Sequence, residues 1–550
     1  MGPAAMMILS LAGCDTGPGV ERDAGVCAPV GDAMAEASVC IVDAGSEADA
    51  LAEASDAGDG STDDSSDPGG CDPLGDPEVS PCALTETYGV FVAGSGADNA
   101  SGTSAAPLRT IAEGVAQAVR QGKSRVFVCQ GHYGESISLG GTQGDISVYG
   151  GLNCIGGWSW TGGVVDVAAP ISLPALRVAS TTTPITVEDV SLTASDAVGQ
   201  DANGAGNSAV AAWITNAVVT FRRVTFFAGK GADGAPGKDG ARIPNYSVDQ
   251  PAAPPGLPFS YSPFVLGAGG VNACVYDSAS SQGGVGGGPG DRSTLAGYPG
   301  GPGSAAPSAS LALLSSLDNG SGGTPSPDCQ PGIGMGNPGA NGLPGASGAM
   351  ATSYGTLSAG AWEPSGGQFG GEGFPGQGGG GGAGEPFGPS SAIFGGQGGG
   401  AGGCGGTGGG GGQGGGASFG LVSVQSSVSL YASTLIASDG GQGGPGGAGQ
   451  VGQAGGLGGS GVCPGAGGAG GNGAGGSGGG GGTGGLSVGI AYQGSLPTYD
   501  TNTMIVFGAP GAEGVGGAPG AYAVTPGQIG LAGAPGVYGR GGLAAAVASL

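Results

Sequence analysis

Few residues of this 550-residue chain have the type and spacing for chemistry. The clearest is Cys14, which closes the run Leu11-Ala12-Gly13-Cys14 behind the apolar stretch Ala4 to Leu11. Small residues ending in cysteine after a hydrophobic segment form an export signal whose cysteine takes a lipid. The thiol is expected to carry acyl chains and residues 1–13 to be removed, although no basic residue precedes Arg22. A second group, Glu188, Asp189, Arg222 and Arg223, supplies the carboxylates and bases that a polysaccharide lyase or glycosidase needs. On strands with apolar neighbours, the same four read as solvent-facing positions. His132, the chain's single histidine, reads as a turn residue beside Tyr133.

Eleven cysteines less Cys14 leave an even set suited to disulfides in an oxidising compartment: Cys27, Cys40, Cys71, Cys82, Cys129, Cys154, Cys274, Cys329, Cys404 and Cys463. Their wide spacing and the lack of any Cys-x-x-Cys argue against zinc. Pairing between chain neighbours closes the shortest loops, and connectivity stays open at this level. With 13 basic residues against 40 acidic ones and a formal charge of −27, nucleic acid is excluded as a partner. No Gly-x-x-x-x-Gly-Lys-Ser/Thr is present, and the many Gly-x-Gly-x-x-Gly matches arise from abundance. No cofactor is expected; calcium on the N-terminal Asp residues is the one alternative, without a fixed ligand spacing. Residues 396–485 hold only Asp439, which removes the ligands of a calcium-binding nonapeptide roll.

The elements that would position these groups begin late. Residues 14–81 are rich in Ala, Asp, Ser, Gly and Glu, cannot bury enough apolar surface to fold, and read as a disordered acidic tether. Gly89 to Ala93 alternates like a strand. Thr110-Ile111-Ala112-Glu113 is a capping box; Ile111, Val115, Ala118 and Val119 share a face, and Gly122 is a C-terminal cap. The strand Arg125 to Cys129 follows.

Gly96-Ala97-Asp98, Gly102-Thr103, Pro107-Leu108-Arg109-Thr110-Ile111 and Gly131-His132-Tyr133-Gly134-Glu135 fall in the order found at the start of secreted right-handed parallel β-helix proteins. The stretch 88–150 resembles the N-terminal cap and first coils of that pectate-lyase-like superfamily. The resemblance implies an architecture, and a polysaccharide lyase or glycoside hydrolase as the enzymatic alternative.

Strand groups recur further along: Leu176–Val178 with Ile185–Leu192, Val210–Ile214 with Val218–Phe226, Leu421–Val424 with Val428–Ile436, and Val488–Ile490 with Leu496–Tyr499 and Met504–Val506. Each group ends in a glycine-bearing or Ser-Asp turn, with insertions at one corner, as in a β-solenoid. The insertions are glycine tracts, which account for much of the 137 glycines. Glycine holds every third position from Gly396 to Gly414, Gly440 to Gly461 and Gly467 to Gly485, the period of an extended polyproline-II-type helix. Such helices bundle by backbone hydrogen bonds or stay disordered; a Cys404–Cys463 bond would favour order. The tracts resemble those of the glycine-rich PGRS surface proteins, whose N-terminal helical domain has no counterpart here.

The expected fold is mainly β: a right-handed parallel β-helix with glycine-rich polyproline-II or polyglycine-II-like insertions behind a disordered acidic tether. The expected layout is signal 1–13, tether 14–81, cap and first coils 82–228, insertion 229–416, coil 417–439, insertion 440–485, coil 486–508 and tail 509–550. The expected role is a cell-surface lipoprotein, held to a bilayer by its acyl anchor, that is structural or adhesive rather than enzymatic. Extracellular polysaccharide or protein is the expected partner. Trp158, Trp160 and Trp362 read as exposed aromatics able to stack on sugar rings, with Trp158 and Trp160 the candidate carbohydrate contacts.

Overall fold

The computed structural model describes residues 72–241, 260–261, 264–265, 269–276, 279–283, 321–323, 334–358, 360–383, 385–387, 392–394, 397–460 and 465–550. Cys14, Cys27, Cys40, Cys71, Cys329, Cys463 and the tether through residue 71 lie outside them. Among the described residues, no helix is long and apolar enough to cross a membrane.

Short Val-, Ile- and Phe-bearing strands cannot bury a core singly, but stacked in register they share one. The chain builds three sheets this way. The first holds Gly89–Val92, Arg125–Cys129, Ser147–Asn153, Ile185–Glu188, Val218–Arg222, Ser427–Tyr431 and Thr498–Tyr499 in parallel, with Ser159–Gly163 antiparallel on Ser147–Asn153. The second runs from Gly131–Tyr133 through Val165–Ala168, Ser191–Ala194, Thr225–Ala228 and Thr434–Ala437 to Met504–Val506. The third runs from Ile137–Leu139 through Leu176–Ala179, Ala209–Thr215, Ser418–Val424 and Ser487–Gln493 to Ala544–Ser549. From Leu176 on, each turn visits the third, first and second sheets in that order, an arrangement that fits a parallel β-helix. Inside, Val90, Val126, Val148, Val187, Phe221 and Leu430 stand in one register row of the first sheet and are buried in the common core.

The helix Ile111–Gln121 closes the first end. Thr110 Oγ1 accepts from the Glu113 N–H, and Gly122 takes a left-handed φ of 65°. The motif acids complete this cap: Asp98 accepts from the Arg109 and Thr110 N–H groups, and Glu135 from those of Ile111 and Ala112. Val119, expected on the buried face, is 42% exposed.

Runs that read as single strands are bent where one residue turns left-handed: Asp189 (φ 54°), Arg223 (53°) and Ala432 (47°). Each bend passes the chain from the first sheet to the second. Left-handed backbone disfavours a residue with a Cβ, and Ala432 is exposed, so its methyl adds little packing. Ala432→Gly is therefore expected to raise stability by about 0.5–1 kcal/mol after glycine's extra chain entropy is counted. A denaturant midpoint that falls instead would contradict this.

The insertions leave from one corner, after Ala228, Ala437 and Val506, and return at Ser418, Ser487 and Ala544. Tract 465–485 lies at their centre. Its successive N–H groups point three ways: Gly478 donates to Ala534, Gly479 to Gly447 and Gly480 to Gln368, at 2.8, 3.0 and 2.9 Å. Its carbonyls accept from three further tracts, as in Gly409 to Ser477, Gly348 to Gly478 and Gly517 to Gly479. The six neighbours bond to one another in a closed ring through Gln368 to Ala349, Gly370 to Gly409, Gly444 to Gln413, Gly446 to Val515, Gly536 to Gly517 and Val537 to Gly348. A backbone without internal hydrogen bonds offers every N–H and C=O to neighbours, and three residues per turn send them in three directions. None of these tract glycines has positive φ, so glycine is required for close approach and not for conformation.

Edges are handled differently. On the outer row of tract 440–460, Gln442 and Ala448 donate to the Asp233 and Asp239 carboxylates at 2.7 and 2.8 Å, and between them Pro445 has no N–H to satisfy.

A second apolar cluster covers the outer face of the third sheet. The hairpin of Gly355–Leu357 and Trp362–Pro364 lays Trp362 edge-on to Phe419, with ring centroids 5.7 Å apart. Trp362 is thus 8% exposed, which corrects its reading as an exposed aromatic. Two disulfides are described, Cys129–Cys154 and Cys274–Cys404, and Cys82 is also disulfide-bonded. Cys404 pairs across a separation of 130 residues, and neither Cys463 nor a chain neighbour is its partner.

Candidate functional site

The outer face of the first sheet carries a row set by strand register: Phe91, Phe127, Tyr149, Glu188, Arg222 and Tyr431. Alternation makes the row, since these residues are the outward partners of the inward Val, Phe and Leu. The aromatic half is packed, with Phe91 5.2 Å from Phe127 and Phe127 6.0 Å from Tyr149. The charged half gathers all four acid and base candidates. Arg223 Nε donates to Asp189 Oδ1 at 2.7 Å, and Arg222 Nε lies 3.6 Å from Glu188 Oε1.

Residues 72–84 run across this face as a strap and bring two acids that sequence patterning placed in the tether. Asp76 lies 3.1 Å from Arg223 Nη2 and 4.0 Å from Arg222 Nη1, and Glu78 lies 2.8 Å from Arg223 Nη1. Arg125, stacked over Tyr149, donates to the Leu74 and Gly75 carbonyls. Composition gave no signal for Asp76-Pro77-Glu78, which reads like the acidic stretch before it; only Cys82 hinted at an anchor nearby.

The strap buries Glu188. Its side chain is 3% exposed, against a reading from sequence of a solvent-facing position. Glu188 Oε2 has no hydrogen-bond partner among the described residues; it lies 3.7 Å from Arg223 Nη2, which is 3.1 Å from Asp76 Oδ2. Burial first, then the Asp76 charge, push the Glu188 carboxyl up to about 8. Burial also raises Asp76, but the Glu78 N–H and the Arg223 hydrogen bond and charge outweigh it and hold Asp76 below the usual carboxylate range. Arg223 is held charged by its hydrogen bond to Asp189. The pair therefore sits as one neutral acid against one carboxylate.

Trp158 and Trp160 flank this cluster, half-buried against the aromatic row. Trp158 packs edge-on to Phe91 and its Nε1 donates to the Ser104 carbonyl; Trp160 Nε1 donates to Asp189 Oδ2 at 2.8 Å. His132 is an exposed strand residue, not a turn residue, with Nδ1 2.8 Å from Asp166 Oδ2 on the neighbouring strand. Among the described residues, no group of three or more His, Cys, Asp or Glu could hold a metal ion.

No protein-family model matches the chain, and no curated protein does. Among solved structures, similarity is found to a pectin methylesterase in complex with a hexasaccharide, at 14% identity over 27% of this chain and 47% of that one, with a TM-score of 0.18. The pectin methylesterase PemA from Erwinia chrysanthemi shows 13% identity over 27% and 47%, TM-score 0.17. A rhamnogalacturonan lyase shows 13% identity over 26% and 40%, TM-score 0.13. The chain thus spans less than half the length of each. What assigns the fold is the register of three parallel sheets within this chain.

Proposed function

We propose that this protein is an exported, lipid-anchored surface element in which a right-handed parallel β-helix carries a rigid, polyglycine-II-like bundle with a structural or adhesive role in the cell envelope. The observation that carries this reading is the closed ring of six tracts around tract 465–485, a large body held chiefly by backbone hydrogen bonds between its tracts. The acids of the folded part fit the same reading, because most accept from backbone N–H groups at turns. Asp145 takes those of Thr182 and Thr183, Asp196 that of Lys230, Asp439 that of Ala509 and Asp500 that of Ala432.

Intact mass and peptide mapping of the protein from its native membrane fraction test the anchor. An acylated N-terminus at Cys14 supports it; a chain retaining Met1 with a free Cys14 overturns it. Carbohydrate contact is tested by Trp158→Ala. Retention on a neutral polysaccharide gel should be lost while cooperative unfolding persists, and unchanged retention removes Trp158 from that role.

One observation favours a second reading, a polysaccharide-active enzyme: the Asp76–Glu188 pair, with its acids shifted in opposite directions beside Trp160. Glycosidase carboxyls flank a gap that admits the sugar, whereas these two are buried under the strap and converge on one nitrogen, Arg223 Nη2. Turnover of polysaccharide that Glu188→Gln abolishes would establish this reading in place of the first.

A further inference from the structure

We propose that residues 72–81 form a proton-controlled latch: the strap is locked over the first sheet by a carboxylic acid–carboxylate contact between Glu188 and Asp76, and rising pH releases it. The geometry places every charged group around Glu188. Asp76 and Glu78 face it from the strap, Asp189 from its own turn, Arg222 and Arg223 from the adjacent strand and bend, and Tyr149, under Arg125, from the strand on the other side. Four acids meet the two arginines directly in contact with them. Glu188 Oε2 is buried without a hydrogen-bond partner among the described residues and lies 3.7 Å from Arg223 Nη2, the same nitrogen that Asp76 Oδ2 approaches to 3.1 Å; one guanidinium nitrogen thus faces two buried acids, and their approach is favourable with a proton on Glu188.

The sign follows from linkage. Docked, Glu188 holds its proton to about pH 8; undocked and exposed, it would release it near 4.5. Docking is strongest near pH 4.5, weakens as pH rises from there to about 8 and levels off above, and it weakens again at lower pH, where Asp76, held below 3.8 while docked, takes a proton. Asp76, held low while docked, stays a carboxylate across that window. The released segment stays joined through residues 82–88 to the strand Gly89–Val92, so opening uncovers the row of Phe127, Tyr149 and Trp160 without losing the strap.

Hydrogen exchange of the full-length protein tests this, with protection factors corrected for intrinsic rates at each pH. The Val79 and Ser80 amides, which donate to the Asp76 carbonyl, should lose up to about tenfold protection per pH unit between pH 5 and 8. Amides of Ala209–Thr215 should stay unchanged. Glu188→Gln, which carries its own hydrogen-bond donor, should flatten the profile and keep the strap protected. Should that variant fail to fold, Asp76→Asn removes the same pair from the strap side and should flatten it too. A flat wild-type profile, or an unchanged slope in the variant that folds, overturns the latch.

Discussion

Replacing Gly479 by alanine is expected to destabilise the protein by more than about 4 kcal/mol, an effect at the far end of what one methyl group does. A Cβ there would lie 1.9 Å from the Gly410 carbonyl oxygen and 2.5 Å from its carbon. Both atoms are backbone, and the tract that holds them is fixed from both sides: Gly409 donates to Ser477, and Gly410 donates to Lys238 while accepting from Gly447. No rotamer change relieves the clash, so a tract must shift and break several bonds together. Gly480 and Gly481 are equally closed, meeting Ala349 O at 2.1 Å and Gly514 O at 1.9 Å. All three directions of the central tract are occupied.

The same substitution at Gly541 is the control. Its nearest heavy atom is Glu513 Oε2 at 3.4 Å, so Gly541→Ala should fall within about 0.5 kcal/mol of wild type. Were the tracts flexible linkers, Gly479→Ala would be neutral or would stabilise by narrowing the unfolded ensemble. Chemical unfolding of both variants separates the two pictures by sign, and equal midpoints would contradict the packed bundle.

Local features of this fold are legible in the chain. Thr110, Glu113 and Gly122 mark the helix, and the Val- and Phe-bearing runs mark strands, because capping and alternation act over a few residues. The three-residue glycine period likewise marks extended tracts. It is silent on their neighbours, since a polyglycine helix presents the same donors and acceptors in three directions. Which tract meets which is decided by where each turn of the sheets delivers the chain, as with Gly479 beside Gly447 and Gly410. The bends at Asp189, Arg223 and Ala432 were hidden because none is a glycine, and runs such as Ile185–Leu192 look continuous. Glu188 was hidden for another reason: its burial depends on Asp76, far away in a stretch whose composition signals disorder.

Removing the Cys274–Cys404 disulfide is the other large perturbation. The bond closes a separation of 130 residues, for which chain entropy gives about 5 kcal/mol; Cys129–Cys154, at 25 residues, gives about 3.5 kcal/mol. The site around it is built for the bond. Cys274 and Cys404 are 1% and 3% exposed, and Asn272 Nδ2 donates to Gly402 O at 3.0 Å and to Gln453 Oε1 at 2.7 Å, which also accepts from the Cys404 N–H. The bond therefore pins residues 272–276 against tracts 397–416 and 440–460. Cys274→Ala/Cys404→Ala avoids leaving a lone thiol or a buried hydroxyl. It should lose most of that stability, and raised hydrogen exchange should begin at residues 397–404 and 450–456 while the strands Val218–Arg222 and Thr225–Ala228 keep their protection. Exchange rising uniformly would mean that bundle and sheets unfold as one unit. A non-reducing peptide map that links Cys404 to Cys463 would contradict the pairing itself, and with it the seating of residues 272–276 on the bundle.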